Sequence, residues 1–288
     1  MTEPFILTDG RFYKNDEKIF TPGIPEQILF TEKIRSVRNR LMFWKEQLEL
    51  IDMQLRLLNK ECYIVTNRHG EELRRQTERA LVKNKLYRDA LVRISFFENG
   101  NKISYLIRTE KTGPDEYELN DNGLLLDLSP LVYKSKSSLS SFRIGSEPFW
   151  RTLASKRSAV LNETILQNQE GCLLEVPERN LFLIHGNEVI TAAPETGVYL
   201  SPARNTISRI CHDLQINFVE KQLLPEAMLF MAEEVFLAGA VHGIQWALGF
   251  EKKRYLSKTV RMIHENFIKK TVKRDDPGKP GQFSFIRG

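Results

Sequence analysis

A polar, serine-rich stretch over residues 134–141 is the feature that most constrains how this chain of 288 residues can fold. Its sequence is Lys-Ser-Lys-Ser-Ser-Leu-Ser-Ser, whereas apolar residues recur with regular spacing on both sides of it. Such a composition is typical of a linker between two folded units. We therefore predict a small domain over 1–135, a larger domain over 136–272 and a mobile tail over 273–288.

The first half combines helices with an antiparallel pair of strands. An alternating pattern predicts a strand over 28–37, and apolar residues at helical spacing predict helices over 42–60 and 71–83. Strands over 90–97 and 103–108 flank Glu98-Asn99-Gly100, and Asn-Gly suits the positive φ angles of a tight hairpin turn. This order indicates an α+β domain.

The second half reads as a mixture of short apolar strands and amphipathic helices. The predicted helices cover 147–160, 203–214, 225–231 and 256–272. The predicted strands cover 164–167, 181–185, 189–191, 218–219, 235–238 and 244–248. The second half is therefore predicted to be α+β as well.

Composition excludes several classes of protein. The apolar share of 41% and the charged share of 27% are ordinary for a globular protein, and no apolar run is long enough to span a bilayer. The first residues lack the plan of a signal peptide, so we expect a cytoplasmic protein. The three cysteines and five histidines lack the spacing of a metal site or of a redox dithiol.

The net charge of +5 permits contact with nucleic acid, but the basic residues are dispersed among acidic ones, as in Glu71-Glu72-Leu73-Arg74-Arg75. A solvated helix face explains this pattern better than a nucleic-acid footprint. Nucleic-acid binding is retained only as a third hypothesis.

Four phrases along the chain point to one protein family. They are residues 30–35 (Phe-Thr-Glu-Lys-Ile-Arg), 168–175 with 180–183 (Asn-Gln-Glu-Gly-Cys-Leu-Leu-Glu and Asn-Leu-Phe-Leu), 199–204, and Glu220 with 232–237 (Ala-Glu-Glu-Val-Phe-Leu). In this order and spacing they resemble class-IV aminotransferases, the fold-type-IV pyridoxal-phosphate enzymes, which include branched-chain aminotransferases and aminodeoxychorismate lyases. The resemblance implies a two-domain α+β fold with a barrel-like larger domain, pyridoxal phosphate as cofactor, and a homodimer.

The resemblance also implies which residues carry the cofactor chemistry. Glu175 stands where the family places the carboxylate that keeps the pyridine nitrogen protonated; alternatively, it is a structural acid that pairs with a neighbouring base. The Schiff-base lysine of the family corresponds to Arg143 in Leu139-Ser-Ser-Phe-Arg143. A guanidinium stays charged and is neither a free amine nor a general base, so Arg143 is not expected to be competent.

Other lysines are poorly placed to substitute for the missing amine. Lys136 and Lys134 lie seven and nine residues before Arg143, which corresponds to about 20–30 Å of extended chain. Lys156 lies well inside the following predicted helix and should point elsewhere. A compensating lysine would require that the linker folds back or that the alignment around Arg143 is different.

The phosphate-binding groups of the family are also depleted in this sequence. Leu50 replaces an arginine that grips the phosphate, and Pro202 removes a backbone N–H from the phosphate loop. Ala203 and Ala240 stand where the family has threonine hydroxyls. Losing these hydrogen bonds would weaken phosphate binding by roughly 4–6 kcal/mol.

Three functional hypotheses follow. The first is a degenerate class-IV protein without pyridoxal-phosphate-dependent transamination, which binds a ligand, acts as a scaffold or carries out other chemistry. The second is an active aminotransferase or aminodeoxychorismate-lyase-like enzyme, and the third is the nucleic-acid binder. Within the first, Arg143, Glu175, Arg204 and His242 are candidates to line one pocket for a small anionic ligand, although an ion pair or cap is the more natural role for Arg204.

Overall fold

The computed structural model describes residues 4–15, 28–113, 117–155 and 163–272. The predicted tail over 273–288 and Lys156 lie outside the described residues. The described chain forms two sheets with helices packed against them, which confirms the predicted α+β class.

The first sheet has six strands in the order β2-β1-β6-β5-β3-β4. These strands are β1 (Phe5–Thr8), β2 (Arg11–Lys14), β3 (Ile28–Val37), β4 (Arg40–Leu41), β5 (Ala90–Asn99) and β6 (Lys102–Lys111). β5 and β6 form the predicted hairpin, with Asn99 opposite Lys102, so the turn consists of Gly100 and Asn101. Gly100 has a φ of 60°, a left-handed value that glycine adopts without strain.

Three helices accompany this sheet: α1 (Trp44–Leu57), α2 (Tyr63–Thr66) and α3 (Glu71–Lys83). Their apolar faces join the inner face of the sheet in one core, to which Ile51, Leu73 and Ile94 contribute fully buried side chains. α3 has the predicted bounds, whereas α1 is shorter than predicted at both ends. Asn59, with a φ of 54°, turns the chain away just after α1.

The second sheet has nine strands and closes on itself. Its strands are β7 (Leu124–Lys134), β8 (Glu163–Asn168), β9 (Leu173–Val176), β10 (Arg179–His185), β11 (Glu188–Ala192), β12 (Asn217–Lys221), β13 (Glu234–Gly239), β14 (Gly243–Phe250) and β15 (Lys253–Arg254). β9 pairs with both β8 and β10, so β10, β13, β14, β7, β8 and β9 form a closed ring. This ring is the predicted barrel-like architecture.

Four helices surround the second sheet: α4 (Arg143–Ser155), α5 (Arg204–Asp213), α6 (Ala227–Met231) and α7 (Lys258–Thr271). α5 and α7 pack together, and Ile207, Ile263 and Phe267 bury their side chains against Phe182 and Phe236 of the sheet. None of the helices in the described part of the chain has the length and apolar character needed to cross a membrane.

The serine-rich stretch is not the point at which the chain passes from one sheet to the other. β7 pairs with β8 and β14, so the division between the sheets falls between β6 and β7, before residue 124. Residues 138–141 form a single 3₁₀ turn packed against α4, and α4 begins at Arg143, four residues earlier than predicted. The expectation of an open linker over 134–141 was therefore wrong, whereas the domain bounds themselves stay a prediction.

Candidate cofactor site

Glu175 lies on β9, one of the strands of the closed ring, and its side chain is fully buried. Its carboxylate accepts hydrogen bonds from Lys134 Nζ at 2.7 Å, from Trp150 Nε1 at 3.1 Å and from the backbone N–H of Tyr199. A buried carboxylate is tolerated only when it is paired and hydrogen-bonded, and these three donors meet that condition. The ion pair with Lys134 matches the structural interpretation of Glu175; its role toward a cofactor stays a prediction.

Lys134, the last residue of β7, supplies the amine that lies beside Glu175. The expectation that Lys134 lies too far away was therefore wrong. This expectation assumed an extended linker, whereas Lys134 ends a strand of the same ring and its side chain points to Glu175. Burial lowers the pKa of Lys134, while the neighbouring Glu175 carboxylate opposes this shift.

Arg143 is also buried, but its guanidinium pairs with other carboxylates. It lies 3.4 Å from Glu32, 3.2 Å from Glu147 and 3.2 Å from Glu178. Burial alone would lower the pKa of Arg143, but Glu178, Tyr199 and Glu32 raise it well above its ordinary value. Arg143 is therefore a permanent cation, as expected from the sequence, and the residue that pairs with Glu175 is Lys134.

The partners of Arg143 come from both sheets. Glu32 lies on β3, where it accepts a hydrogen bond from Gln54 Nε2 at 2.7 Å, and Gln54 Oε1 accepts one from the backbone N–H of Ile144 at 3.1 Å. Glu178 precedes β10 and also pairs with Lys33. This set of Glu32, Lys33, Gln54, Arg143 and Glu178, hereafter the junction network, joins the first sheet and α1 to α4 and the second sheet.

The junction network shifts the pKa values of its two carboxyl groups in opposite directions. Burial would raise the pKa of Glu178, but Arg143 and Lys33 lower it to about 2, so this carboxylate is ionised at neutral pH. Burial raises the pKa of Glu32, and Arg143 and Gln54 only partly oppose that shift.

The residues aligned with the phosphate-binding groups of the family are apolar and buried. Leu50, Pro202, Ala203 and Ala240 all have little or no solvent exposure. Leu50 and Pro202 line a cavity of about 1050 Å³ between α1, the 138–141 turn and the start of α5. None of these four side chains can donate a hydrogen bond to a phosphate.

Two of the proposed anion-binding residues line different cavities. Arg204 lines the cavity of about 1050 Å³, whereas His242 lines a second cavity of about 320 Å³, and Arg143 and Glu175 line neither. Arg204 pairs with Glu220 at 2.7 Å and donates to the carbonyl of Ala192, so the ion-pair role is confirmed. Glu178, which pairs with Arg143, also lines the cavity of His242, and a single pocket formed by all four residues stays a prediction.

His242 also lacks the positive charge that would attract an anion. Burial, together with the nearby Arg179, lowers its pKa to about 3, so its imidazole is neutral at physiological pH. Within the described part of the chain, His242 Nδ1 has no hydrogen-bond partner.

The two groups that would anchor the ring of pyridoxal phosphate, an amine and a carboxylate, lie next to each other in this structure. Its pyridine nitrogen would face Glu175, and its aldehyde, on the opposite side of the ring, would face an amine. In the structure Lys134 Nζ and Glu175 are in direct contact, and both side chains are fully buried. The amine and the carboxylate are both present, but the space that a ring needs between them is closed.

The sequence also matches a family model, which describes amino-transferase class IV and covers residues 31–247. Since this match spans most of the chain, the protein belongs to the class-IV aminotransferase family.

Individual members of this family are similar over nearly the whole chain. A probable branched-chain-amino-acid aminotransferase from Aquifex aeolicus (strain VF5) is 23% identical over 254 residues, which cover 81% of this chain and 79% of that protein. The branched-chain amino acid aminotransferase from Escherichia coli has a TM-score of 0.80 at 15% identity, with coverage of 96% and 97%. The branched-chain aminotransferase from Thermoproteus uzoniensis, solved with norvaline, has a TM-score of 0.79 at 18% identity, with coverage of 93% and 94%. At these identities the two structures show a common fold.

Proposed function

We propose that this chain is a class-IV aminotransferase homologue that does not carry out pyridoxal-phosphate-dependent transamination. The observation that carries the proposal is the direct, fully buried contact between Lys134 and Glu175, the two groups between which the cofactor ring would have to enter. Leu50, Pro202, Ala203 and Ala240, which stand where the family resemblance places phosphate-binding groups, support the same proposal, because none of them offers the second anchor of the cofactor.

The chemistry of the family needs a group that takes and returns a proton. When bound, pyridoxal phosphate withdraws electrons from the α-carbon of an amino acid, and a lysine amine moves the proton. Arg143 cannot do this, because its pKa is raised further and its guanidinium is held by Glu32, Glu147 and Glu178. In this chain Arg143 connects the two sheets instead.

A ligand-binding role is what the remaining architecture supports. The cavity of about 1050 Å³ presents several hydroxyl groups together with Lys136, Arg204 and Arg209, against Glu195 and Glu220. A lining with three cationic and two acidic side chains suits a small polar ligand that carries a negative charge.

The proposal is tested by incubating the purified protein with pyridoxal phosphate, reducing it with borohydride and mapping the modified lysines. We expect no stoichiometric adduct and no yellow colour after dialysis, because the amine beside Glu175 is closed off. The variants K134A and K136A should be labelled as sparsely as the wild type. A stoichiometric adduct at any single lysine contradicts the proposal.

A second candidate function is an active pyridoxal-phosphate enzyme that uses Lys134. The observation that favours it is again specific, since a buried primary amine with a lowered pKa lies 2.7 Å from Glu175. It requires the pair to separate when the cofactor enters. In that case borohydride traps the adduct at Lys134. K134A then abolishes labelling, whereas K136A, which removes an exposed lysine two residues away, does not.

A further inference from the structure

The cavity of about 320 Å³ beside His242 is lined by two side chains that each bury an unsatisfied polar atom. Glu178 Oε2 and His242 Nδ1 are both buried, and neither has a hydrogen-bond partner among the described residues. Burying a polar atom without a partner is unfavourable, and such atoms are rare in folded proteins. Two of them on the lining of one cavity indicate that a bound molecule supplies the missing partners.

The charged groups at this cavity are already paired with opposite charges. Arg179 lies 2.5 Å from Glu163, and both side chains line the cavity. Glu178 pairs through its other oxygen, Oε1, with Lys33 and Arg143. A ligand with a net charge would therefore be buried here without a counter-ion of its own, which is costly. The cavity favours a neutral ligand.

The two unsatisfied atoms define the hydrogen bonds that such a ligand must make. Glu178, with its pKa lowered to about 2, is ionised at neutral pH, so Oε2 only accepts hydrogen bonds. His242, with its pKa lowered to about 3, is a neutral imidazole, and in the tautomer with its proton on Nδ1 that atom donates. Leu153 and Pro177 add apolar walls. A matching ligand carries an N–H and a neighbouring carbonyl oxygen on a small apolar body.

We propose that this cavity binds a small neutral carboxamide, whose N–H donates to Glu178 and whose carbonyl oxygen accepts from His242. Its volume of about 320 Å³ lies at the lower end of the range for small-molecule sites. It shares no lining residue with the cavity of about 1050 Å³. The site is therefore separate from the one proposed above for an anionic ligand.

Calorimetric titration of the full chain with four probes of similar shape tests the site. Benzamide is neutral and carries both the N–H and the carbonyl oxygen. Acetophenone has the carbonyl oxygen without the N–H, benzoate is an anion without the N–H, and benzamidine is a cation without the oxygen. We expect benzamide to bind at least about tenfold more tightly than each of the others, because each loses a hydrogen bond or adds an unmatched charge.

Two variants separate the contributions of the two side chains. His242→Leu removes the donor but keeps an apolar side chain, so the affinity for benzamide should fall about tenfold. His212→Leu is the matched control, because the His212 side chain is 91% exposed, and it should bind benzamide like the wild type. Glu178→Gln replaces the accepting Oε2 by an amide nitrogen, so most of the preference for benzamide over acetophenone should disappear. If Glu178→Gln does not fold, the comparison of benzamide with acetophenone in the wild type tests the same contact.

Three results overturn the proposal. They are equal affinities of the wild type for benzamide and acetophenone, an unchanged affinity for benzamide in His242→Leu, and no binding of benzamide up to its solubility limit. The last result would mean that water alone satisfies the two atoms. None of these titrations depends on lysine labelling, so a lysine adduct with pyridoxal phosphate would defeat the proposed function and leave this site standing.

Discussion

At the scale of single residues, three buried cations of this protein pair with carboxylates, whereas the half-buried imidazole of His242 does not. Lys134 pairs with Glu175, Arg204 with Glu220, and Arg143 with Glu32 and Glu178. His242 has no such partner among the described residues and is kept neutral by burial. Because a buried neutral histidine must take up a proton when the protein unfolds in acid, His242 couples stability to pH.

We predict that His242→Asn flattens the pH dependence of stability between about pH 6.5 and 4.5. The folded-state pKa of about 3 lies below the ordinary value of 6.5, so the stabilisation is present above pH 6.5 and is lost as the pH falls toward 3. The slope approaches about 1.4 kcal/mol per pH unit for one proton. Below about pH 4.5, Glu178, whose pKa is lowered from 4.5 to about 2, adds a second loss of the same sign.

Urea unfolding at a series of pH values measures this effect. His212→Asn is the matched control, because the His212 side chain is 91% exposed, and this variant should follow the wild type. Parallel curves for the wild type and His242→Asn would show that His242 contributes no pH dependence.

At the scale of elements, the sequence predicted α1, α3 and the hairpin of the first half, because their apolar periodicity is regular and Gly100 lies in the turn, whereas the short α2 was missed. β7 was missed, since its run of leucines is followed by Ser129 and Pro130, which do not continue a strand pattern. That omission explains the error at Lys134, which looked like part of a linker. The expectation that Arg143 stays charged and cannot act as an amine did not depend on predicting β7, because it follows from the chemistry of the guanidinium group.

The start of α4 depends on a close approach that only glycine permits. A Cβ on Gly145 would lie 2.1 Å from the carbonyl oxygen of Leu139, within the turn formed by residues 138–141. We predict that Gly145→Ala destabilises the protein by about 1–3 kcal/mol, because the turn must move away from α4. The midpoint of urea unfolding measures the change.

Gly113→Ala is the control for this substitution. Nothing among the described residues lies within 4 Å of a Cβ at Gly113, so its effect should stay within about 0.5 kcal/mol. Similar effects of the two substitutions would mean that the packing of the turn on α4 contributes little to stability.

At the scale of the whole molecule, the two sheets meet at a polar junction rather than at an apolar one alone. Glu32, Lys33 and Gln54 belong to the first half of the chain, whereas Arg143 and Glu178 belong to the second. The family resemblance predicted the α+β fold and the presence of Glu175, but not this network. Its members lie up to 146 residues apart between Glu32 and Glu178, and no sequence periodicity links such positions. Trp150 was likewise not singled out, because a helical tryptophan reads as ordinary core.

A double-mutant cycle on Glu32 and Arg143 tests whether the junction couples the two halves. Arg143→Met should lower the free energy of unfolding by about 3–5 kcal/mol, because it leaves the carboxylates of Glu178 and Glu32 without their main cation. Glu32→Gln should relieve part of that loss, which gives a coupling energy of about 1–3 kcal/mol in urea unfolding. The control cycle uses Arg74 and Glu78 of α3, an exposed pair whose coupling should not exceed about 0.5 kcal/mol. Equal coupling energies in both cycles would mean that the contact between Arg143 and Glu32 contributes nothing measurable to stability. In that case apolar packing alone would hold the two sheets together.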